Sequence, residues 1–141
     1  MRSIQTTHAR LDLLFVYGTL KRGFPAHRRF CGNAVFVTRA AVRGRLHLHP
    51  RGYPVLALPR SALVASPDWG WVEGEIFRLR NPGRSLARID AYEGVTAGVP
   101  GLYRRLRVPV RAAVVGLAWT YAAASTRDVL ALPILPAGSW P

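Results

Sequence analysis

The run Leu13-Leu14-Phe15-Val16-Tyr17 is unbroken apolar sequence that stops at Gly18. A short apolar stretch closed by a glycine reads as a buried strand that delivers a tight loop. Such a loop can turn successive backbone N–H groups toward one oxygen, which makes Gly18-Thr19-Leu20 a candidate anion cradle. The plainer alternative is an ordinary strand-to-turn connection, since a lone Gly-Thr pair is common.

The 141 residues suit one domain, which buries roughly 70% of its extended-chain surface and folds without staples. Residues 1–12 are expected to form a flexible N-terminal segment and 13–141 the domain. Cys31 is the single cysteine, so no internal disulfide forms and no Cys/His cluster offers a structural zinc site. This favours a reducing, cytoplasmic setting. The first ten residues lack the apolar run of about 7 to 15 residues that a secretory signal needs. Apolar stretches around 112–118 and 130–135 are broken by Gly or Pro well short of the roughly 20 residues that span a bilayer. The expectation is a soluble protein without a membrane partner.

The formal net charge of +13 invites a nucleic-acid reading, because clustered basic side chains bind phosphate through counterion release. Placement argues against it. Nineteen of the twenty basic residues are Arg, spread from Arg2 to Arg127 with no run longer than Arg28-Arg29 and Arg104-Arg105. A solvated basic surface is the preferred account.

Lys21 to Phe30 reads as a loop leading into one helical turn. Val35 to Leu48 alternates as half-buried strands, with Val42, Leu46 and Leu48 on one face and Arg43, Arg45 and His47 on the other. Pro50 to Pro67, dense in Pro, Gly and Ser with Tyr53-Pro54-Val55-Leu56 as its one ordered piece, is expected to wrap over the surface beside the site. Trp71 to Leu79 is a strand with Glu73 and Glu75 on the same side. Asn81-Pro82 or Ser85 caps a helix carrying Leu86, Ile89 and Glu93, and Gly94 stops it. Residues 103–110 and 112–123 read as two further strands, the second with Val115, Leu117, Trp119 and Tyr121 on one face. One firm helix among five or six strands gives an α+β class with a dominant, barrel-like sheet.

A carboxylate in the last turn of a helix meets the negative end of the macrodipole, which disfavours its ionised form. Glu93 is so placed, and walls of Tyr92 and Tyr103 would desolvate it further, poising it as a base. Otherwise it is an exposed acid in a frayed turn. The combination says more than its parts: Tyr17-Gly18-Thr19-Leu20 at a strand end, Asp90-Ala91-Tyr92-Glu93-Gly94 at a helix end, and Tyr103-Arg104-Arg105 opening the next strand. Leu20-Lys21-Arg22-Gly23 with His27 close behind, Gly52-Tyr53-Pro54 and Val72-Glu73-Gly74-Glu75-Ile76-Phe77 accompany them. As a set these resemble the γ-glutamylcyclotransferase-like family, more narrowly its γ-glutamylamine cyclotransferase branch, over Phe15 to about Tyr121.

The resemblance implies a small mixed β-barrel flanked by short helices. It implies a reaction in which the α-amino group of a γ-glutamyl amine or amino acid attacks its own γ-carbonyl, closing 5-oxoproline and releasing an amine or amino acid. Glu93 would be the general acid/base, and Tyr17, Gly18, Thr19, Leu20, Tyr53, Tyr103 and Tyr121 would surround the substrate, with no metal or organic cofactor. Tyr53 and Tyr121 could equally be core tyrosines. Arg105 could brace Glu75 or Asp90 rather than touch substrate, and Glu75 reads as structural. After Tyr121 the chain departs, and Ala137-Gly138-Ser139-Trp140 only loosely matches the family's Gly-acid-Trp ending. That leaves the leaving group open, and the oligomeric state is silent.

Other readings are weaker. His47 and His49 are spaced for one metal but lack a third ligand. Glu73 and Glu75 point in parallel and cannot flank a glycosidic bond. Cys31, placed in a loop, reads as a free thiol without a chemical role. The serious rival is a non-catalytic member of the same fold that binds a small acidic metabolite or a protein, since fold never guarantees turnover.

Overall fold

Every residue of the Leu13–Val16 strand is buried, because it runs through the middle of the sheet. The computed structural model describes residues 12–59, 69–113 and 116–141. In chain order its elements are β1 (Leu13–Val16), α1 (Pro25–Cys31), β2 (Val35–Leu48), β3 (Pro54–Ala57), β4 (Gly70–Arg78), α2 (Pro82–Glu93), β5 (Tyr103–Pro109), β6 (Leu117–Ala123), a 3-10 turn (Thr126–Val129) and β7 (Ile134–Leu135). The sheet order is β3-β2-β4-β1-β6-β5, with β7 added to β2. β1 pairs in parallel with β6 and antiparallel with β4. A strand covered on both faces has no polar side to show, hence the unbroken apolar run.

Alternation along β1 feeds two cores. Leu13, Phe15 and Tyr17 join Val42, Leu46, Leu56, Val72, Ile76, Ala118 and Ala122 on one face. Leu14 and Val16 join Phe77, Cys31, Leu86, Ile89 and Tyr121 on the other, where the helices pack. Gly74 lets β4 press against β1: a Cβ there would lie 2.3 Å from the Val16 carbonyl oxygen and 2.7 Å from the Phe15 ring.

The architecture is a single-domain α+β fold, a mixed seven-stranded sheet with two α-helices among the described residues. The ladders run as an open path from β3 to β5, so they do not themselves draw the closed barrel expected above. Ala41 and Arg111 add one isolated antiparallel bridge.

Several local expectations are corrected. Val35 to Leu48 is one strand of fourteen residues. His47, placed on the arginine face, is fully buried, because the chain after β6 returns over that face. His47 pairs with Ile134, its Nδ1–H donates to the Leu132 carbonyl at 3.0 Å, and its Nε2 accepts from Arg45 Nε at 3.1 Å. The arginines beside it stack on indoles instead: Arg43 and Arg111 lie 4.3 and 4.0 Å from the Trp71 ring, and Arg45 lies 4.6 Å from Trp69. Within the expected surface wrap, Pro54–Ala57 is instead a wholly buried strand on β2, and residues 60–67 lie outside the described residues. Pro25–Cys31 makes two turns rather than one, and Cys31 is its buried last residue, not a loop position. Burial pushes its thiol up to about 11, which makes it a poor nucleophile at neutral pH. The last long strand begins at Leu117 rather than at 112, and Val115 lies outside the described residues. So do residues 1–11 of the proposed N-terminal segment; Asp12 is tied down, its carbonyl accepting from Leu79 N–H at 2.8 Å.

Candidate active site

The end of β1 and the end of α2 meet at one cavity of about 300 Å3. After Tyr17 the chain turns, and Lys21 N–H closes onto the Gly18 carbonyl at 3.0 Å. The N–H groups of Gly18, Thr19 and Leu20 have no acceptor among the described residues. Gly18 makes this approach easy: a Cβ there would lie 3.0 Å from Pro54 Cγ, so the proline ring would have to give by a few tenths of an ångström. The turn is braced from behind. Arg22 donates its N–H to Glu75 Oε1 at 2.9 Å and its Nε and Nη2 to Oε2 at 3.2 Å. His27 Nδ1 donates to the Leu20 carbonyl at 2.7 Å.

The helix that brings the acid is set by local sequence at both ends. Asn81 Oδ1 accepts from Arg84 N–H at 3.3 Å ahead of Pro82. Gly94 takes the left-handed conformation, φ 73°, that a C-terminal cap requires. Tyr92 then meets the loop, its hydroxyl 3.1 Å from Thr19 Oγ1, and Glu93 faces the cavity. The Glu93 carboxyl is half-buried and makes no hydrogen bond or ion pair with any described residue. Burial pushes it up to about 7 from an ordinary 4.5. Desolvation by the cavity wall, rather than the macrodipole that the sequence argument put first, is the cause.

The structure gathers all eight sequence-singled residues, Tyr17, Gly18, Thr19, Leu20, Tyr53, Glu93, Tyr103 and Tyr121, around this cavity. Three tyrosine hydroxyls are committed to the protein. Tyr17 donates to the Tyr121 carbonyl at 2.6 Å and accepts from Leu56 N–H at 3.1 Å. Tyr103 donates to the Pro54 carbonyl at 2.9 Å. Tyr121 donates to Asp90 Oδ1 at 2.6 Å, and Asp90 in turn holds Arg105, 2.9 Å from Nε. Burial raises all three phenols above their usual range, with the Asp90 bond adding to the effect at Tyr121. Tyr53 differs: its ring stacks on His49 at 4.4 Å, and its hydroxyl has no partner among the described residues.

Arg105 therefore braces Asp90, and Glu75 braces Arg22. Pro54, part of the Gly52-Tyr53-Pro54 match, and Leu102, which nothing in the sequence marked, also line the cavity; Pro54 opens β3 and Leu102 directly precedes β5. Among the described residues no group of three or more His, Cys, Asp or Glu could hold a metal ion, and no helix is long and apolar enough to cross a membrane.

Residues 14–141 match the family described as gamma-glutamyl cyclotransferase, AIG2-like. Over 108 residues the chain is 39% identical to a gamma-glutamylaminecyclotransferase from Bos taurus, a match that covers 72% of this chain and 57% of that protein. The matched region thus spans little more than half of the bovine relative. An AIG2-like protein from Mus musculus has the same fold, with TM-score 0.67 and 24% identity over 94% of this chain and 89% of the mouse chain. So does an uncharacterized protein from Pyrococcus horikoshii, with TM-score 0.65 and 20% identity over 90% and 87% of the two chains. With the match running through nearly every element that builds the cavity, the chain belongs to the AIG2-like γ-glutamyl cyclotransferase family.

Proposed function

We propose that this chain converts a γ-glutamyl amine or γ-glutamyl amino acid to 5-oxoproline by intramolecular attack, with Glu93 as general acid/base. The observation that carries the reading is the Glu93 carboxyl. It has no hydrogen-bond or ion-pair partner among the described residues, it is poised at about 7, and it shares its cavity with the Gly18–Leu20 turn, whose N–H groups have no acceptor among those residues. The bovine relative's name favours an amine as leaving group.

The α-amino group of the substrate is protonated in water and becomes a nucleophile only when a base takes its proton. A carboxylate near neutrality holds both forms in comparable amounts, which suits it to take that proton and return it to the departing nitrogen; such help is worth about a hundred- to ten-thousand-fold. The nitrogen adds to the γ-carbonyl, the C–N bond to the leaving group breaks, and the ring closes as 5-oxoproline. Because the reaction is intramolecular, the remaining task is to hold the γ-glutamyl chain curled with nitrogen and carbonyl carbon about 3 Å apart. In this reading the N–H groups of Gly18, Thr19 and Leu20 hold the substrate carboxylate or the oxyanion. Tyr17, Tyr103 and Tyr121, with their hydroxyls already engaged, act as walls, and Tyr53 offers its open hydroxyl to substrate. The reading also takes the sheet as a small barrel drawn together at the Ala41–Arg111 bridge.

The test is 5-oxoproline release from a panel of γ-glutamyl amines and γ-glutamyl amino acids by wild type and Glu93→Gln. Release that collapses in the variant while ligand binding persists supports the reading and names the substrate class. Wild-type binding without turnover of any member hands the cavity to the non-catalytic alternative.

A further inference from the structure

The substrate turn is held by a part of the chain that lies far from it in sequence. The segment after β7 crosses back to β4, where the Gly138 carbonyl accepts from Glu73 N–H at 2.9 Å. Gly138 has φ 66°, and a Cβ there would lie 2.3 Å from the Trp71 carbonyl oxygen, so the crossing point admits only glycine. Two residues on, the Trp140 carbonyl accepts from Lys21 Nζ at 2.5 Å, and the Trp140 indole stacks on Phe24 at 5.2 Å and 25°.

Lys21 and Phe24 are the residues that finish the substrate turn. Lys21 N–H closes it onto Gly18, and Phe24 N–H bonds the Lys21 carbonyl at 3.3 Å. Between the two attachments the segment stands off the sheet. A second cavity of about 240 Å3 lies there, lined by Lys21, Arg39, Glu73, Glu75 and Ser139. The segment is thus a strap, fixed at Gly138 and buckled onto the turn at Trp140.

We propose that Trp140 is a positioning residue for the Gly18–Leu20 turn, keeping its N–H groups aimed into the substrate cavity; this rests on the function proposed above. The Arg22–Glu75 contacts hold the chain one residue further along, so loss of Trp140 loosens the turn without releasing it from the sheet. A turn that grips the substrate carboxylate equally in ground and transition states contributes to KM and leaves kcat unchanged.

The experiment compares Trp140→Ala, which removes the ring stacked on Phe24, with Trp140→Phe, which keeps one; both retain the main-chain carbonyl that Lys21 bonds. Steady-state 5-oxoproline release and residue-resolved hydrogen exchange are read on both. Trp140→Ala is expected to raise KM about three- to tenfold, the equilibrium factor that loss of one aromatic stack represents, with kcat within about twofold. Exchange quickens at Lys21 and Phe24, whose bonded N–H groups close the turn, while β1 and β4 stay protected, and Trp140→Phe recovers most of both effects. Unchanged exchange in the turn, a uniform rise across the sheet, or no recovery with Phe overturns the proposal. Should wild type release no 5-oxoproline, the catalytic reading falls, and the exchange comparison still decides whether the strap holds the turn.

Discussion

Glu93→Gln is expected to make the folded chain more stable at neutral and alkaline pH and to leave it unchanged in acid. The carboxyl sits at about 7 in the folded chain against an ordinary 4.5, because the cavity wall strips it of water. Between those two values the native state holds a proton that the unfolded chain has released, so native stability falls as pH rises through that window. Each factor of ten in proton affinity corresponds to about 1.36 kcal/mol. The raised carboxyl therefore costs the folded state roughly 3 kcal/mol once both states are ionised, and closer to about 2 kcal/mol where cavity water still reaches it. Glutamine has nearly the same shape, carries no charge at any pH and loses no hydrogen bond, because the carboxyl accepts none from the described residues. Urea unfolding of both proteins from about pH 4 to about pH 8.5 measures the difference. It should be near zero at the acid end and grow to roughly 2–3 kcal/mol in favour of the variant at the alkaline end. A difference that does not change with pH, or a wild type as stable as the variant at the alkaline end, would refute the reasoning. On the proposed function, the same group should give the wild-type kcat/KM an acid limb that rises through about 7, because a carboxylate acting as base must be ionised to take a proton.

Tyr17→Phe is expected to cost about 2–4 kcal/mol, because Leu56 N–H and the Tyr121 carbonyl would both lose a buried partner. A thermal melt should fall by roughly 3 °C for each kcal/mol, and a loss under about 1 kcal/mol would show that these groups are satisfied in another way. Gly74→Ala forces β1 and β4 apart at Val16 and Phe15 and should cost about 3 kcal/mol or more; denaturation within about 1 kcal/mol of wild type would mean that the sheet gives way there at little cost.

What the sequence made legible is what neighbours along the chain decide. Asn81, Pro82 and Gly94 announce both ends of α2 because capping acts over three or four residues, and the helix in turn placed Glu93. The Tyr17–Leu20 turn was readable for the same reason. His47 was not, since its cover comes from Leu132, 85 positions away, and alternation along one strand cannot report a second layer laid over its polar face. The Pro54–Ala57 strand was hidden by the Pro, Gly and Ser around it, although it pairs with β2 and is wholly buried, Leu56 in the main core and Val55 and Ala57 against Ala123 and Val129. The pairings of Arg105 with Asp90 and of Arg22 with Glu75 needed three dimensions, as the sequence offers each arginine more than one acid.

The phenols of Tyr17 and Tyr103 lace β3 to the β5–β6 hairpin: one hydroxyl spans Leu56 N–H and the Tyr121 carbonyl, the other reaches the Pro54 carbonyl. Strands zipped by a backbone ladder stand about 4.8 Å apart, too close to admit any molecule between them. A seam laced by side chains has no such fixed gauge. Its gap is set by the reach of a ring, so the width of the cavity between these strands is a property of two side chains rather than of the sheet. Aperture and scaffold can then vary independently within one fold, and a change at either tyrosine would alter which molecules enter before it altered what happens to them.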